Sequence, residues 1–150
     1  MKLLNGINSN KKSCQQGISS LGNGDLISDE KLTALVVDSD IICQVLEKAI
    51  LESQGIQAQV VGSGRDAIDL LASGVNFDLI IIAMVLPIMN GVETTRQIRA
   101  MGIRSKMLGV TACSYERERR AFLDAGVDEF IEKPLTPQKL ASVLREIRNA

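Results

Sequence analysis

The sequence contains no histidine and no tryptophan, and its 150 residues include one tyrosine, three phenylalanines and three cysteines. The cysteines Cys14, Cys43 and Cys113 are odd in number, far apart and without a histidine partner. They therefore support neither a disulfide framework nor a zinc site. Free cysteine is usually a buried residue, so we expect Cys43 and Cys113 to be packing residues.

Neither sign of charge dominates, because the sequence has 17 Lys and Arg and 18 Asp and Glu, which gives a net charge of -1. The chain therefore has no global field that would attract nucleic acid or an anionic membrane, and it has no basic module. The longest apolar stretch, Leu79 to Met89, is too short to span a bilayer. The amino end also lacks the apolar segment of a secretory signal. We expect no nucleic-acid or membrane partner and a location in the cytoplasm, with the nucleus as a second compartment.

Residues 1–30 are rich in Asn, Ser, Gly, Gln and Lys without sustained periodicity, which predicts a disordered tail. Residues 31–150 form one predicted globular domain, long enough to bury a core of its own. Five short apolar strands alternate there with five helical patterns. This alternation predicts a doubly wound α/β fold with a five-stranded parallel sheet and helices on both of its faces.

The apolar run that begins at Leu79 is entered by Asp78 and stopped by Pro87, which is typical of a strand buried on both faces. Ligands of parallel sheets bind at the carboxyl ends of the strands. The predicted strands end at Asp38-Ser39-Asp40, at Ala83, at Thr111 and at Lys133. These residues are therefore the candidates for a single shallow site.

The helices carry recognisable starts and apolar stripes. Asp40 is expected to cap the first helix rather than bind a metal. The stripe of that helix is predicted at helical spacing by Ile41, Val45, Leu46, Ala49 and Ile50, and the helix closes at Gln54-Gly55. The later helices are predicted to start at Asn90 with Glu93 as a capping box, at Ser114, and at Thr136-Pro137.

Four motifs, in this order and at these distances, resemble the receiver domain of two-component response regulators. They are Leu-Val-Val-Asp at 35–38, Leu-Pro-Ile-Met-Asn-Gly at 86–91, Gly-Val-Thr-Ala at 109–112 and Glu-Lys-Pro-Leu at 132–135. The resemblance covers residues 32–149 and is strongest to short, stand-alone plant-type regulators. It implies a flavodoxin-like (CheY-like) fold with strand order 2-1-3-4-5 and a place in a phosphorelay.

In that family an acidic pair after the first strand holds Mg²⁺, and an aspartate that ends the third strand accepts a phosphoryl group from a phosphohistidine. The resemblance implies that Asp38 is the first acid and Thr111 the switch hydroxyl. It implies that Lys133 is the base that pairs with the phosphate, before a cis bond to Pro134, and that Phe130 is the aromatic residue that reorients on activation.

Two positions depart from the family pattern. Ser39 stands where the second acid belongs, and Ala83 stands where the phosphate acceptor belongs. Alanine has no oxygen nucleophile, so a phosphoaspartate at 83 is excluded. Because Asp38 and Lys133 already cancel each other's charge, we expect them to pair, and we expect no cofactor, with Mg²⁺ binding weak or absent.

The favoured hypothesis is a pseudo-receiver, not an enzyme, that acts as a monomer by binding protein. Its predicted partner is a histidine-containing phosphotransfer protein or a histidine kinase, docked through Ile41, Ile42 and Val45. One alternative keeps the relay active through a substitute acceptor, Asp38, Ser39 or Asp40. A second is a phosphatase similar to haloacid dehalogenases, in which Asp38 is the nucleophile. A third is a designed change at Ala83, although the additional change at Ser39 argues against it.

Overall fold

The computed structural model of the chain describes residues 31–112 and 115–148. The predicted tail and Ser114, the predicted cap of the fourth helix, lie outside this part. The described elements, in chain order, are β1 (Thr33–Val37), α1 (Ile41–Ser53), β2 (Gln57–Val61), α2 (Gly64–Ala72), β3 (Leu79–Ala83), α3 (Gly91–Ala100), β4 (Lys106–Thr111), α4 (Glu116–Ala125), β5 (Glu129–Glu132) and α5 (Pro137–Arg148). None of the helices in the described residues is long and apolar enough to cross a bilayer.

The five strands form one parallel sheet in the order β2-β1-β3-β4-β5, which confirms the predicted order. Along the central strand, Ile82 is in register with Val37 of β1, and Ala83 is in register with Val110 of β4. All the strands point the same way and each is followed by a helix, so their carboxyl ends meet at one edge of the sheet. That edge is where the predicted site residues belong.

The core lies on both faces of the sheet, as the apolar run of β3 predicted. All of β3 is buried, with Ile80 and Ile82 in the core cluster on one face and Ile81 in the cluster on the other. Each such side chain contributes about 1.5–3 kcal/mol when it is fully buried. On β4, a β-carbon at Gly109 would lie 2.8 Å from the ring of Phe122, so glycine at that position lets α4 approach the sheet.

Three of the predicted helix starts are present. Asp40 Oδ1 accepts hydrogen bonds from the backbone amides of Ile42 and Cys43 at 2.8 and 3.2 Å. The caps at Asn90 and Thr136 also form, at 2.9 and 3.2 Å. The carboxylate of Glu93 accepts from Arg96 and Gln97 on its own helix. The N-cap of α4 is Tyr115, which makes no side-chain cap bond.

Helix α1 turns a different face to the sheet from the one its apolar spacing predicted. Ile41 and Val45 are 68% and 65% exposed, whereas Glu47 and Leu51 are buried. Cys43, Glu47 and Leu51 are four residues apart, so they share one face of the helix. Leu51 is fully buried in the core and Ile50 packs against the same cluster, which fixes the rotation of α1 and leaves the other four residues of the predicted stripe exposed. The prediction was wrong for Ile41, Val45, Leu46 and Ala49 and right for Ile50.

Candidate functional site

The carboxyl edge of the sheet brings together the strand-end residues predicted from the sequence. Asp38 follows β1, Ala83 ends β3, Thr111 ends β4 and Lys133 follows β5. Asp38, Ala83 and Thr111 are buried. Because the strands are parallel and in register, these four residues lie side by side along the edge.

Asp38 and Lys133 form the predicted ion pair, with Lys133 Nζ 2.8 Å from Asp38 Oδ2. The same Nζ lies 3.2 Å from Cys43 Sγ. Asp38 is 2% exposed, and its Oδ1 accepts a hydrogen bond from the amide of Asp40 at 2.9 Å. Burial acts to lower the pKa of Lys133, but the hydrogen bonds to Asp38 and Cys43, together with the Asp38 charge, outweigh it and raise that pKa above its ordinary value. The lysine is therefore charged at neutral pH and is balanced by Asp38.

Ala83 presents a buried methyl group between Asp38 and Thr111 at this edge. A β-carbon at Gly91 would collide with the carbonyl oxygen of Ala83, so the glycine allows the start of α3 to pass directly over the end of β3. The side chain at position 83 offers no oxygen. It therefore cannot form a covalent bond to a phosphoryl group.

The remaining positions implied by the resemblance also lie around this edge. The carbonyl of Thr111 accepts a hydrogen bond from the amide of Lys133 at 2.7 Å. Phe130 packs edge-to-face on Phe122, with ring centroids 6.1 Å apart. The bond between Lys133 and Pro134 is cis, which confirms that part of the resemblance. The switching roles of Thr111 and Phe130 stay predictions.

The residues at this edge do not fit the Mg²⁺ site that the family implies. Mg²⁺ demands near-octahedral geometry and oxygen ligands that include carboxylates. The Asp40 carboxylate caps α1 through its Oδ1, Ser39 brings no charge, and Ala83 brings only a methyl group. Asp38 remains, but one of its oxygens is bound to Lys133 and the other to a backbone amide.

The sequence reasoning missed Glu47, which lies beneath this edge on α1. Glu47 is 2% exposed, and its Oε1 is buried without a hydrogen-bond partner. Burial, followed by repulsion from Asp38, raises the pKa of Glu47 from 4.5 to about 7, although the charge of Lys133 lowers it in part. The sequence carries one signal for the position of Glu47. Glu47 lies four residues after Cys43 and four before Leu51, so the three residues share one face of a helix.

Gln44 was also missed. Its side-chain amide donates a hydrogen bond to the backbone carbonyl of Asp38 at 2.6 Å, which ties the first turn of α1 to the end of β1. This contact holds Asp38 at the position where Lys133 reaches it. Nothing in a lone glutamine predicts such a tie, because it depends on where the strand ends relative to the helix.

The predicted docking residues Ile41, Ile42 and Val45 lie on the solvent side of α1 and are all exposed. Val85 and Ile88, in the segment between β3 and α3, are exposed as well. Both segments begin at the carboxyl edge of the sheet. Ile41, Ile42 and Val45 are called the outer face of α1 below.

A doubly wound sheet in this order, with an aspartate and a lysine paired at its carboxyl edge, defines a CheY-like receiver domain. The family model of the response regulator receiver domain matches residues 34–145, and the chain belongs to this family.

Two plant relatives cover most of the chain. It is 45% identical to "Two-component response regulator 24" of Arabidopsis thaliana over 121 residues, which are 81% of this chain and 87% of the relative. It is 32% identical to "Two-component response regulator ARR22" of the same plant, over 83% of this chain and 89% of the relative.

Solved receiver domains have the same fold. The receiver domain of sensor histidine kinase PA1611 from Pseudomonas aeruginosa PAO1 superposes with a TM-score of 0.73 at 27% identity, over 81% of this chain and 100% of that one. That crystal structure has a magnesium ion coordinated in its active-site cleft. A receiver domain of a histidine kinase from Syntrophus aciditrophicus is 30% identical, with a TM-score of 0.70 over 79% of this chain and 90% of that one.

Proposed function

We propose that this receiver domain accepts no phosphoryl group at the usual position and acts in a phosphorelay by binding a protein partner. The observation that carries the proposal is the buried methyl group of Ala83 at the end of β3. Phosphoryl transfer to a protein requires a positioned oxygen nucleophile and electrostatic stabilisation of the transferred group. Position 83 at the carboxyl edge provides no oxygen nucleophile, and the lysine at this edge is already paired with Asp38.

The three substitute acceptors are each unsuited to the role. Both oxygens of Asp38 accept hydrogen bonds, one of them from Lys133, and the Asp40 carboxylate caps α1. Ser39 is exposed, and a serine hydroxyl needs an adjacent base to become a nucleophile. The same engagement of Asp38 and Asp40 argues against a phosphatase of the haloacid dehalogenase type. We therefore propose that the domain is not an enzyme.

The partner we propose is a histidine-containing phosphotransfer protein, or the corresponding domain of a histidine kinase, bound by the monomeric domain. The outer face of α1 supports this proposal because it presents three apolar side chains at the edge that a phosphodonor would approach. Apolar residues that are exposed as a group indicate a binding surface. The Asp38–Lys133 pair needs no phosphate to form, so binding is expected without activation.

The test is to incubate the chain with a phosphorylated histidine-containing phosphotransfer protein and to measure binding by titration calorimetry and modification by intact mass. We expect a complex and no added phosphoryl group. A chain with Ser39→Asp and Ala83→Asp is the matched control, because it restores the carboxylates of the family pattern and is expected to gain the phosphoryl group. A phosphoryl group on the unaltered chain would refute the loss of phosphorylation, and failure to bind would refute docking.

A further inference from the structure

Three side chains able to ligate a metal converge beneath the carboxyl edge, in the part of the chain that the structure describes. One ligand atom each from Asp38, Cys43 and Glu47 lies within 4.8 Å of the other two. Cys43 and Glu47 are one turn apart on α1, and Asp38 follows β1. Asp38 and Glu47 are buried and Cys43 is half-buried, so a strand and a helix enclose the three groups between them.

The Glu47 carboxylate is the observation that points to a ligand. Its Oε1 is buried and accepts no hydrogen bond, although the carboxylate lies close to Asp38 and Cys43. A buried polar atom without a partner costs about 1–3 kcal/mol, and more when it is charged. Neither Asp38 nor Cys43 can neutralise a second carboxylate. A cation placed among the three groups would.

The ammonium group of Lys133 already shows that a cation is accommodated here. It lies 2.8 Å from Asp38 Oδ2 and 3.2 Å from Cys43 Sγ, beside two of the three ligand atoms. The Lys133 side chain is 20% exposed and has a flexible four-carbon stem, so it can swing toward solvent. A more highly charged ion can then take its place.

We propose that Asp38, Cys43 and Glu47 bind a divalent cation of the zinc type, which displaces the ammonium group of Lys133. A thiolate with two carboxylates suits zinc or cobalt, whereas Mg²⁺ prefers oxygen ligands and keeps several of its waters. In a tetrahedral zinc site, ligand atoms are about 3.3–3.8 Å apart, because each lies about 2.0–2.3 Å from the metal. The three ligand atoms now lie within 4.8 Å of one another, so side-chain rotations would have to bring them to that spacing, and a water molecule would take the fourth position.

The proposed site balances its charge. A divalent cation with two carboxylates and one thiolate carries a net charge of minus one, which the displaced but nearby Lys133 offsets. The ligand set also differs from the magnesium site implied by the family, since Cys43 and Glu47 both come from α1. The proposal goes beyond the docking function and does not depend on it.

The test uses the full chain with Cys14→Ser and Cys113→Ser, so that Cys43 is its only thiol. After treatment with a chelator it is titrated with Co²⁺ and then with Zn²⁺, while thiolate-to-cobalt absorption and the melting temperature are recorded. We expect a thiolate band that zinc abolishes, and a melting temperature raised by zinc. Cys43→Ser should remove the band. Glu47→Gln should lower the affinity by about 100-fold or more, because even groups outside the ligand shell are worth about 10- to 100-fold.

Two further variants make the test specific. Glu52→Gln removes an exposed carboxylate on the same helix and should leave the affinity unchanged. Lys133→Met removes the competing ammonium group and should raise the affinity. Circular dichroism of each metal-free variant checks that the variant folds. If Glu47→Gln does not fold, Cys43→Ser decides whether the cluster binds zinc, because it is a near-isosteric change at a half-buried position. The proposal is overturned if the parent shows no thiolate band, if Cys43→Ser or Glu47→Gln keeps the parent's zinc affinity, or if Lys133→Met binds zinc no more tightly.

Discussion

The two faces of α1 reverse the usual distribution of polar and apolar residues. The face toward the sheet carries Cys43 and Glu47 before it reaches Leu51, while the outer face carries three exposed apolar side chains. A helix at a protein surface normally buries its apolar stripe. Here the inner face carries two members of the polar cluster around Asp38, and the outer face is the proposed docking surface. The apolar contribution of α1 to the core therefore comes from its carboxyl half, where Leu51 is buried and Ile50 packs against the same cluster.

Removing the cation that pairs with Asp38 should have the largest effect. Lys133→Met leaves Asp38 buried without its partner, and we expect the free energy of unfolding to fall by about 2–4 kcal/mol, somewhat less than for a fully buried pair. Urea denaturation at neutral pH with a chelator present measures it. Lys48→Met, at an exposed ion pair on α1, is the control and should change stability by less than about 0.5 kcal/mol. If Lys133→Met and Lys48→Met lost equal free energy of unfolding, the distinction between the buried ion pair and the exposed one would be contradicted.

The carboxylate of the inner face should make stability depend on pH. The pKa of Glu47 is about 7 in the folded chain, against 4.5 without its surroundings, so between these values the folded state binds the extra proton. The free energy of unfolding should therefore fall as pH rises from 4.5 to 7 and then level off, with a total loss of up to about 3 kcal/mol.

Glu47→Gln should flatten this part of the pH profile, because glutamine does not titrate. The charged groups that act on Glu47 are Asp38, Asp40 and Lys133, and all three remain in the variant. Urea denaturation at pH 5 and pH 8, in the presence of a chelator, gives for each chain the change in the free energy of unfolding between the two pH values. The difference between the two chains is the contribution of Glu47. Identical slopes in the two proteins would mean that Glu47 is not the titrating group.

A charge on the outer face should weaken docking without harming the fold. Ile42→Glu is expected to cost about 2 kcal/mol or more in partner binding, as at the centre of an interface, and less than about 0.5 kcal/mol in stability. Titration calorimetry with the phosphotransfer protein measures the first and urea denaturation the second. Val75→Glu, at an exposed apolar residue between α2 and β3, should leave binding unchanged. If both variants bind as the parent does, the outer face is not the docking surface.

Magnesium should have the smallest effect of all. Thermal melts with and without millimolar Mg²⁺ should coincide, because Asp38 is held by Lys133 and the Asp40 carboxylate caps α1. The chain with Ser39→Asp and Ala83→Asp serves as the positive control, and its melting temperature should rise with Mg²⁺. A clear rise in the unaltered chain would refute the expectation.

The sheet and its edge could be predicted because they depend on local signals. The apolar run of β3 and the alternation of strands with helices predicted a parallel sheet, and the resemblance to receiver domains implied the strand order. The rule that the carboxyl ends of parallel strands meet at one edge placed Asp38, Thr111 and Lys133 together. Glu47 could not be found this way. Its burial depends on the rotation of α1, which the packing of Leu51 fixes, whereas the spacing of Ile41 and Val45 suggested the opposite face. The expectation against zinc rests on the odd number of cysteines, their separation and the lack of histidine, and none of these criteria applies to a ligand set with a single thiolate.

The ring of Phe122 fills the space above Gly109 on β4, and it also meets the ring of Phe130 on β5. One aromatic group therefore connects α4 mechanically to two neighbouring strands. Tightly packed interiors transmit displacement rather than absorb it. A partner that pushed α4 aside would also move Phe130, and Lys133 lies only three residues further along the backbone. The packing of Phe122 thus links the surface helix α4 to the strand that leads to Lys133.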